Sequence, residues 1–541
     1  MRNEFIYQIF PQTFYEIGNS GIGNIKGIIS KLDYLKDLGI TRIWISPVTK
    51  SPFKDSGYDV QDYCEIDEKF GDMKDFEVLV LEAKKRNLKI IIDIVFNHTS
   101  NKHEWFKRAL NNEEKYMNYY IFKDPIDGKE PTNWKSKMGG SCWEYVPKLN
   151  KYYLHLFTKE QPDLNWENKE LQKKFIEILN FWREKGVDGF RLDVCNLYSK
   201  PKVYENDLFG DGRGFYTDGE HIEEYFKMLN INVFSKDKEI FTVGEVSSTT
   251  KEKSLRYAKT ENEQLDSIFT FLHLKVDYKD NNKWSNMKPD LNSFWELQKE
   301  WQTCFQNNNS TLALFMNNHD QPRAISRFGD TINFWYESAT SIFAFTSLMR
   351  GIPFIYQGEE IGMTNLNFES ISDFKDIESI GNAKDLLNTL SEEEVLNILR
   401  AKSRDNARSV MQWDNTENSG FSKTKDLKLF LNENYKRINV QSQIKDRNSV
   451  LSFYKKVIKL RLTDNLYCDG NINFFKEQEY SYSRTLNNRK AIIITNWNNY
   501  DINLNLEIKR NEWKIILNNY DDFNFNLIKP YQVIVLERNI K

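Results

Sequence analysis

LQKKFIEILNFWREKGVDGFRLDV, residues 171–194, carries two periodicities in succession. Apolar residues at helical spacing predict a helix over 171–186, and the short apolar run VDGFRLDV (187–194) predicts a strand. A helix leading into a buried strand is one unit of a parallel sheet. Working outward, the same unit recurs. Toward the N-terminus lie the strand FIYQIF (5–10), the helix IISKLDYLKDLG (28–39) closed by Gly39, the strand RIWISP (42–47), the helix FEVLVLEAKKRN (76–87) and the β-branched strand KIIIDIVF (89–96). Toward the C-terminus follow KEIFTVGE (238–245), LDSIFTFL (265–272), TLALFMNN (311–318) and GIPFIYQGEE (351–360), most after helical stretches. Eight strands close a (β/α)8 TIM barrel.

The rhythm fails between Thr99 and about Glu167, a stretch rich in Trp, Tyr, Asn, Gly and Lys with turn signals such as DPIDGKEP (124–131). So long a break inside a compact fold predicts an inserted subdomain. After a last helix near 450–462, INFFKEQEYSYSR, RKAIIITNW, WKIILNNY and QVIVLER read as strands without helices, an antiparallel β unit. The expected division is therefore a barrel over 1–98 and 168–465, an inserted subdomain over 99–167, and a C-terminal β-sandwich-like domain over 466–541.

The chain has 541 residues, with 75 Lys+Arg against 78 Asp+Glu and a net charge of −3. That balance argues against a nucleic-acid partner, which calls for a basic excess. Five scattered cysteines, with no CxxC and no Cys/His metal spacing, suit a reducing compartment. The start MRNEFIYQIF lacks a signal-peptide core, and no apolar run is long enough to span a bilayer. The expectation is a cytoplasmic protein without a membrane partner or cofactor, and a monomer. The 13 Trp, 27 Tyr and 37 Phe are expected mostly in cores, with a few left to platform flat ligands such as sugars.

In a barrel of this kind the chemistry sits at the carboxyl ends of the strands. GYDV offers Tyr58 and Asp59; FNHTS offers Asn97 and His98; GFRLDV offers Arg191 and Asp193; TVGE offers Glu245; NNHDQPR offers His319, Asp320 and Arg323. One strand-end Asp is more often a cap, and one His more often structural. Here hydrophobic runs finish in a carboxylate or imidazole again and again, and two of only six histidines fall at strand ends. Several carboxylates without a metal cluster or a Ser–His pair suit glycoside cleavage by a carboxylate nucleophile and a protonated carboxyl acid. Arg191 and Asp193, two apart on one strand, share a face, so the guanidinium is expected to keep Asp193 ionised. Glu245 follows an apolar strand with no cation adjacent in sequence, which suits a general acid.

FRLDV, VGE and NNHD in this order, with NHTS before them and ARxxMQWD after them (Ala407, Arg408, Met411 to Asp414), resemble the signature regions of the α-amylase superfamily, glycoside hydrolase family 13. The resemblance runs from IYQIFPQTF to about residue 465. It implies Asp193 as nucleophile, Glu245 as acid/base and Asp320 as transition-state stabiliser. It further implies that Asp59, His98, Arg191, His319 and Arg408 grip a glucosyl unit in the −1 subsite, over Tyr58.

Within the superfamily, QPDLNWEN (161–168), DVxNxxSK (193–200), YQGEEIGMTN (356–365) and SRDNAR (403–408) resemble the oligo-1,6-glucosidase and phosphotrehalase branch. Val194, after the nucleophile, is the residue found in members that do not prefer α-1,4 links. GDGRGFYTDG (210–219) and HLKVDYKDNNKW (273–284) are similar to phosphotrehalase segments. The substrate so implied is trehalose 6-phosphate, cleaved to glucose and glucose 6-phosphate. Its dianion requires local cations, for which Lys275, Lys283 and Arg213 are placed on the rim. The alternatives are an oligo-1,6-glucosidase or broad α-glucosidase, a glucosyl isomerase or transferase, and an inactive ancillary binding protein. Relatives carry a cation-binding loop resembling DxNxDGIGD where this chain reads EIGNSGIGN (16–24), so no metal is expected there. Ser409-Val410 stands where relatives have Thr-Pro, and Gly214 where they have a second Arg.

Overall fold

The computed structural model describes residues 3–540. Eight parallel strands form the barrel: β1 (Ile6–Ile9), β2 (Arg42–Ile45), β3 (Lys89–Ile94), β4 (Gly189–Leu192), β5 (Phe241–Val246), β6 (Ser267–Thr270), β7 (Ala313–Leu314) and β8 (Ile352–Tyr356). They are hydrogen-bonded in the order β6-β5-β4-β3-β2-β1-β8-β7. A parallel bridge between Ile268 and Leu312 joins the two ends, so the sheet closes on itself. Each expected strand is present at its expected place. β1, β2, β4, β6 and β8 are buried along their whole length, which is why they read as continuous apolar runs.

The helices pack outside. The stretch read as one helix over 28–39 is two, Ile25–Ser30 and Leu32–Leu38, with Lys31 between them and Gly39 ending the second at φ 99°. The helix Lys169–Glu184 starts on Asn168, whose side chain accepts from the amides of Glu170 and Leu171. It buries Leu171, Phe175, Ile178, Leu179 and Trp182, the stripe that its spacing demands.

Between β3 and the helix Lys169–Glu184, strands Phe122–Lys123, Lys151–Leu154 and Trp143–Val146 form a small antiparallel sheet. At the C-terminus β9 (Asn471–Phe474), β10 (Ser481–Leu486), β11 (Arg489–Thr495), β12 (Lys514–Asn518) and β13 (Val533–Asn539) form an antiparallel sheet in the order β9-β10-β11-β13-β12. Two buried arginines lie at its junction with the barrel, Arg484 on β10 and Arg461 on the helix Val450–Thr463. Arg484 donates to the carbonyls of Leu348, Cys468 and Gly470, and Arg461 to those of Ser347, Met349, Gly351 and Tyr467. Several of these carbonyls end the helix Trp335–Ser347, which has no further turn to bond them. Among the described residues no helix is long and apolar enough to cross a membrane.

Candidate active site

The register of the barrel sets the site. Leu192 of β4 lies opposite Gly244 of β5, so the residues that follow, Asp193 and Glu245, emerge side by side at the carboxyl ends. Arg191 comes from the same end of β4 and is 1% exposed. Its Nη1 donates to Asp193 Oδ1 at 2.5 Å and to Asp93 Oδ1 at 2.7 Å, and its Nη2 donates to Glu245 Oε2. One guanidinium fork thus bridges the two carboxylates, one on each terminal nitrogen.

This arrangement corrects two expectations. Glu245 does have a cation beside it, because β4 and β5 are neighbours in the sheet although Arg191 and Glu245 are far apart in sequence. Nor is the guanidinium Asp193's alone. Burial raises the Asp193 carboxyl above its ordinary range; Arg191 pulls it down, and the adjacent Asp93 pushes it up again. Asp93 was not singled out in the sequence. It lies inside β3, where it accepts from Tyr58 Oη at 2.9 Å and Trp44 Nε1 at 3.2 Å, and burial raises it too. An acid within a β-branched strand was the available signal.

Asp320 follows β7. Arg408 Nη2 donates to its Oδ1 at 2.9 Å and Arg404 Nη1 to the same oxygen at 3.2 Å. His319 Nε2 lies 3.1 Å from its Oδ2 without hydrogen-bond geometry. Burial opposes ionisation of Asp320, but His319, Arg404 and Arg408 together outweigh it and hold the carboxyl well below the usual range. His319 is itself pushed down by burial, and its Nδ1 lies 2.7 Å from Gln8 Nε2. Tyr58 lies parallel to the His319 ring at 5.1 Å. His98 is pushed down by burial, with Nε2 3.1 Å from the Tyr58 carbonyl and from Gln161 Nε2.

Asp59 does not join them. Its oxygens accept from Ser51 Oγ at 3.0 Å, the Lys54 amide at 2.9 Å and the Asp55 amide at 3.0 Å, so it folds its own loop and is fully buried. Asp55 takes the outward place. Its carboxylate meets Arg404 Nη2 at 3.2 Å and Gln161 Nε2 at 3.2 Å. Arg404 is in turn held by Asp376 at 2.5 Å. Arg404 thus links Asp55 to Asp320.

Among the cations expected for phosphate, Lys283 pairs with Glu378 at 2.7 Å. Lys275 Nζ lies 3.4 Å from Ser248 Oγ and has no carboxylate within ion-pair reach among the described residues. Arg323 donates to the Gln357 carbonyl at 2.6 Å and is fully buried, a structural arginine. The N-terminal loop is filled by its own acid: Glu16 accepts from the Ser20 amide and hydroxyl, the Gly21 amide and Ser422 Oγ.

The α-amylase catalytic-domain family matches residues 8–470. The chain belongs to the α-amylase family. This family member is 41% identical over 544 residues to the trehalose-6-phosphate hydrolase of Bacillus subtilis (strain 168), covering 98% of this chain and 96% of that one. It is also 41% identical to the oligo-1,6-glucosidase of Parageobacillus thermoglucosidasius, covering 91% and 89%. The crystal structure of Bacillus licheniformis trehalose-6-phosphate hydrolase superposes with a TM-score of 0.94 at 41% identity, covering 99% of each chain. The protein is accordingly a glycoside hydrolase of the α-amylase family, with a barrel and a C-terminal antiparallel sheet as expected.

Proposed function

We propose that this family member hydrolyses trehalose 6-phosphate with retention of configuration. Asp193 attacks the anomeric carbon of the unphosphorylated glucosyl unit, and the Glu245 carboxyl protonates the bridging oxygen, releasing glucose 6-phosphate. Glu245 then takes a proton from water, which attacks the glucosyl-Asp193 ester and frees glucose. Asp320, held ionised by Arg404 and Arg408, faces the positive charge that develops on the ring. The link between Asp55 and Arg404 suits a pocket that accepts a terminal glucosyl unit.

The observation that carries the substrate assignment is Lys275. It stands beside Ser248, three residues after Glu245, where the leaving sugar must lie. Burial, then the nearby Arg213 guanidinium, push its ammonium down to about 8. A cation partly buried next to another cation, without an acid, gains most from an incoming dianion. The competing reading is an α-1,6-glucosidase, which the ion pair of Lys283 with Glu378 favours. Hydrolysis of trehalose 6-phosphate, trehalose and isomaltose under one set of conditions decides between them. The expected order puts the phosphorylated sugar first by at least tenfold in kcat/KM, and a preference for isomaltose overturns the proposal. Asp193→Ala is expected to abolish turnover; residual activity within tenfold would remove Asp193 as nucleophile.

A further inference from the structure

The inserted segment contributes a cation to the same rim. Lys137 reaches across to Ser247 Oγ at 3.3 Å, two residues after Glu245 and next to the Ser248 that meets Lys275. Its turn is fixed on two sides. The Lys137 amide donates to the Leu156 carbonyl at 2.9 Å. Behind it, Gly381 of the helix Ile377–Leu386 packs so closely on the Met138 carbonyl that a Cβ there would sit 2.4 Å from the oxygen. The ammonium stands 5.7 Å from the Phe157 ring centroid and 5.9 Å from that of Tyr216. No carboxylate lies within ion-pair reach of it among the described residues; the nearby Asp163 is taken by Lys200 at 2.8 Å.

From this geometry we propose that Lys137 is the specificity-determining residue for a phosphorylated leaving sugar, gripping the phosphate together with Lys275 and Arg213. The inference rests on the trehalose 6-phosphate reading and adds to it the residue, from the inserted segment, that separates phosphorylated from plain disaccharides. Lys137 comes from the inserted segment, Arg213 from the loop after β4 and Lys275 from the loop after β6, so the phosphate would draw three chain segments together. Burial first, then Arg213, Lys275 and Lys200, lower the Lys137 ammonium to about 7, against a smaller upward pull from Asp163. Near pH 7.5 the free protein therefore leaves much of Lys137 unprotonated. A bound dianion favours the charged form and draws in a proton.

The test uses glucose 6-phosphate, a product that binds without turnover. Calorimetric titration at pH 7.5 in buffers of different ionisation enthalpy is expected to show net proton uptake by the wild type. Lys137→Met is expected to weaken glucose 6-phosphate binding by about 30-fold or more and to reduce that uptake. Lys137→Arg is expected to keep affinity within about fivefold while reducing the uptake, because its charge is permanent. The ratio of kcat/KM for trehalose 6-phosphate over isomaltose is expected to fall by about 30-fold in Lys137→Met. Wild-type affinity or ratio retained within threefold in Lys137→Met overturns the assignment of Lys137 alone. A wild type that shows no preference for the phosphorylated substrate overturns the substrate reading and this inference with it.

Discussion

Asp55 and Asp59 lie four residues apart in one loop and have opposite fates, which a pair of substitutions can expose. Asp55→Asn removes one negative charge from the bridge to Arg404 while keeping the size of the side chain. Arg404 retains Asp376 at 2.5 Å and Asp320 at 3.2 Å, so no buried guanidinium is orphaned and folding should change little. What is lost is a charged acceptor in the pocket. Such a bond is worth about 1.5–3 kcal/mol, which corresponds to a fall in kcat/KM of about 10- to 150-fold. Asp59→Ala strips the acceptor from the amides of Lys54 and Asp55 and from Ser51 Oγ in a fully buried site. Unpaired buried donors cost about 1–3 kcal/mol each, so this variant should melt at a clearly lower temperature. Steady-state kinetics on an aryl α-glucoside, with thermal melts of the same preparations, reads both effects. The reasoning is refuted if Asp55→Asn keeps kcat/KM within threefold while Asp59→Ala loses a hundredfold with a native melting curve.

Two further outcomes follow from buried groups elsewhere. Glu16 has its oxygens taken by donors from Ser20, Gly21 and Ser422, so chelation with EDTA is expected to leave the melting midpoint within about 1 °C, and a drop of several degrees would place a cation in that loop. His103 caps the helix Glu104–Leu110 by accepting from the Trp105 amide, and burial, with Lys107, pushes it down to about 3. Its folded value lies below the unfolded one of about 6.5, so its contribution is complete above pH 6.5 and is lost as pH falls toward 3, on the order of 2–3 kcal/mol by pH 4.5. His103→Asn keeps a cap and removes the titration, so its melting midpoint should fall less than the wild type's between pH 7 and 4.5; an equal fall refutes the assignment.

The barrel was legible because parallel strands covered by helices must be apolar throughout, and eight such runs announce themselves. The ends of those runs also named Asp193, Glu245, His319 and Asp320, since a strand end is where side chains reach the open face of a barrel. What sequence spacing does not carry is which strand neighbours which. Arg191 was paired with Asp193, its partner at two residues' distance, whereas Asp93 and Glu245 share it across the sheet. GYDV points to Asp59 because it adjoins Tyr58, and it gives no hint of Asp55; which of two nearby acids turns inward depends on where the loop's own amides point. The mid-helix break at Lys31 escaped detection because its flanks keep the same apolar stripe. Lys137 gave no signal at all: in a chain this rich in lysine, only the folding of the inserted segment against β5 distinguishes it.

The carbonyls at the end of the helix Trp335–Ser347 find their donors in Arg461 and Arg484, the latter on β10. During synthesis, therefore, the barrel's strands all emerge before the groups that finish its wall have been made. A chain made as far as residue 465 would hold Arg461 but not Arg484, so the Leu348 carbonyl would lack its donor until β10 arrives as the final clasp. Truncation at that point should yield a chain that collapses yet is cut by proteases more readily near Leu348 than the full chain is.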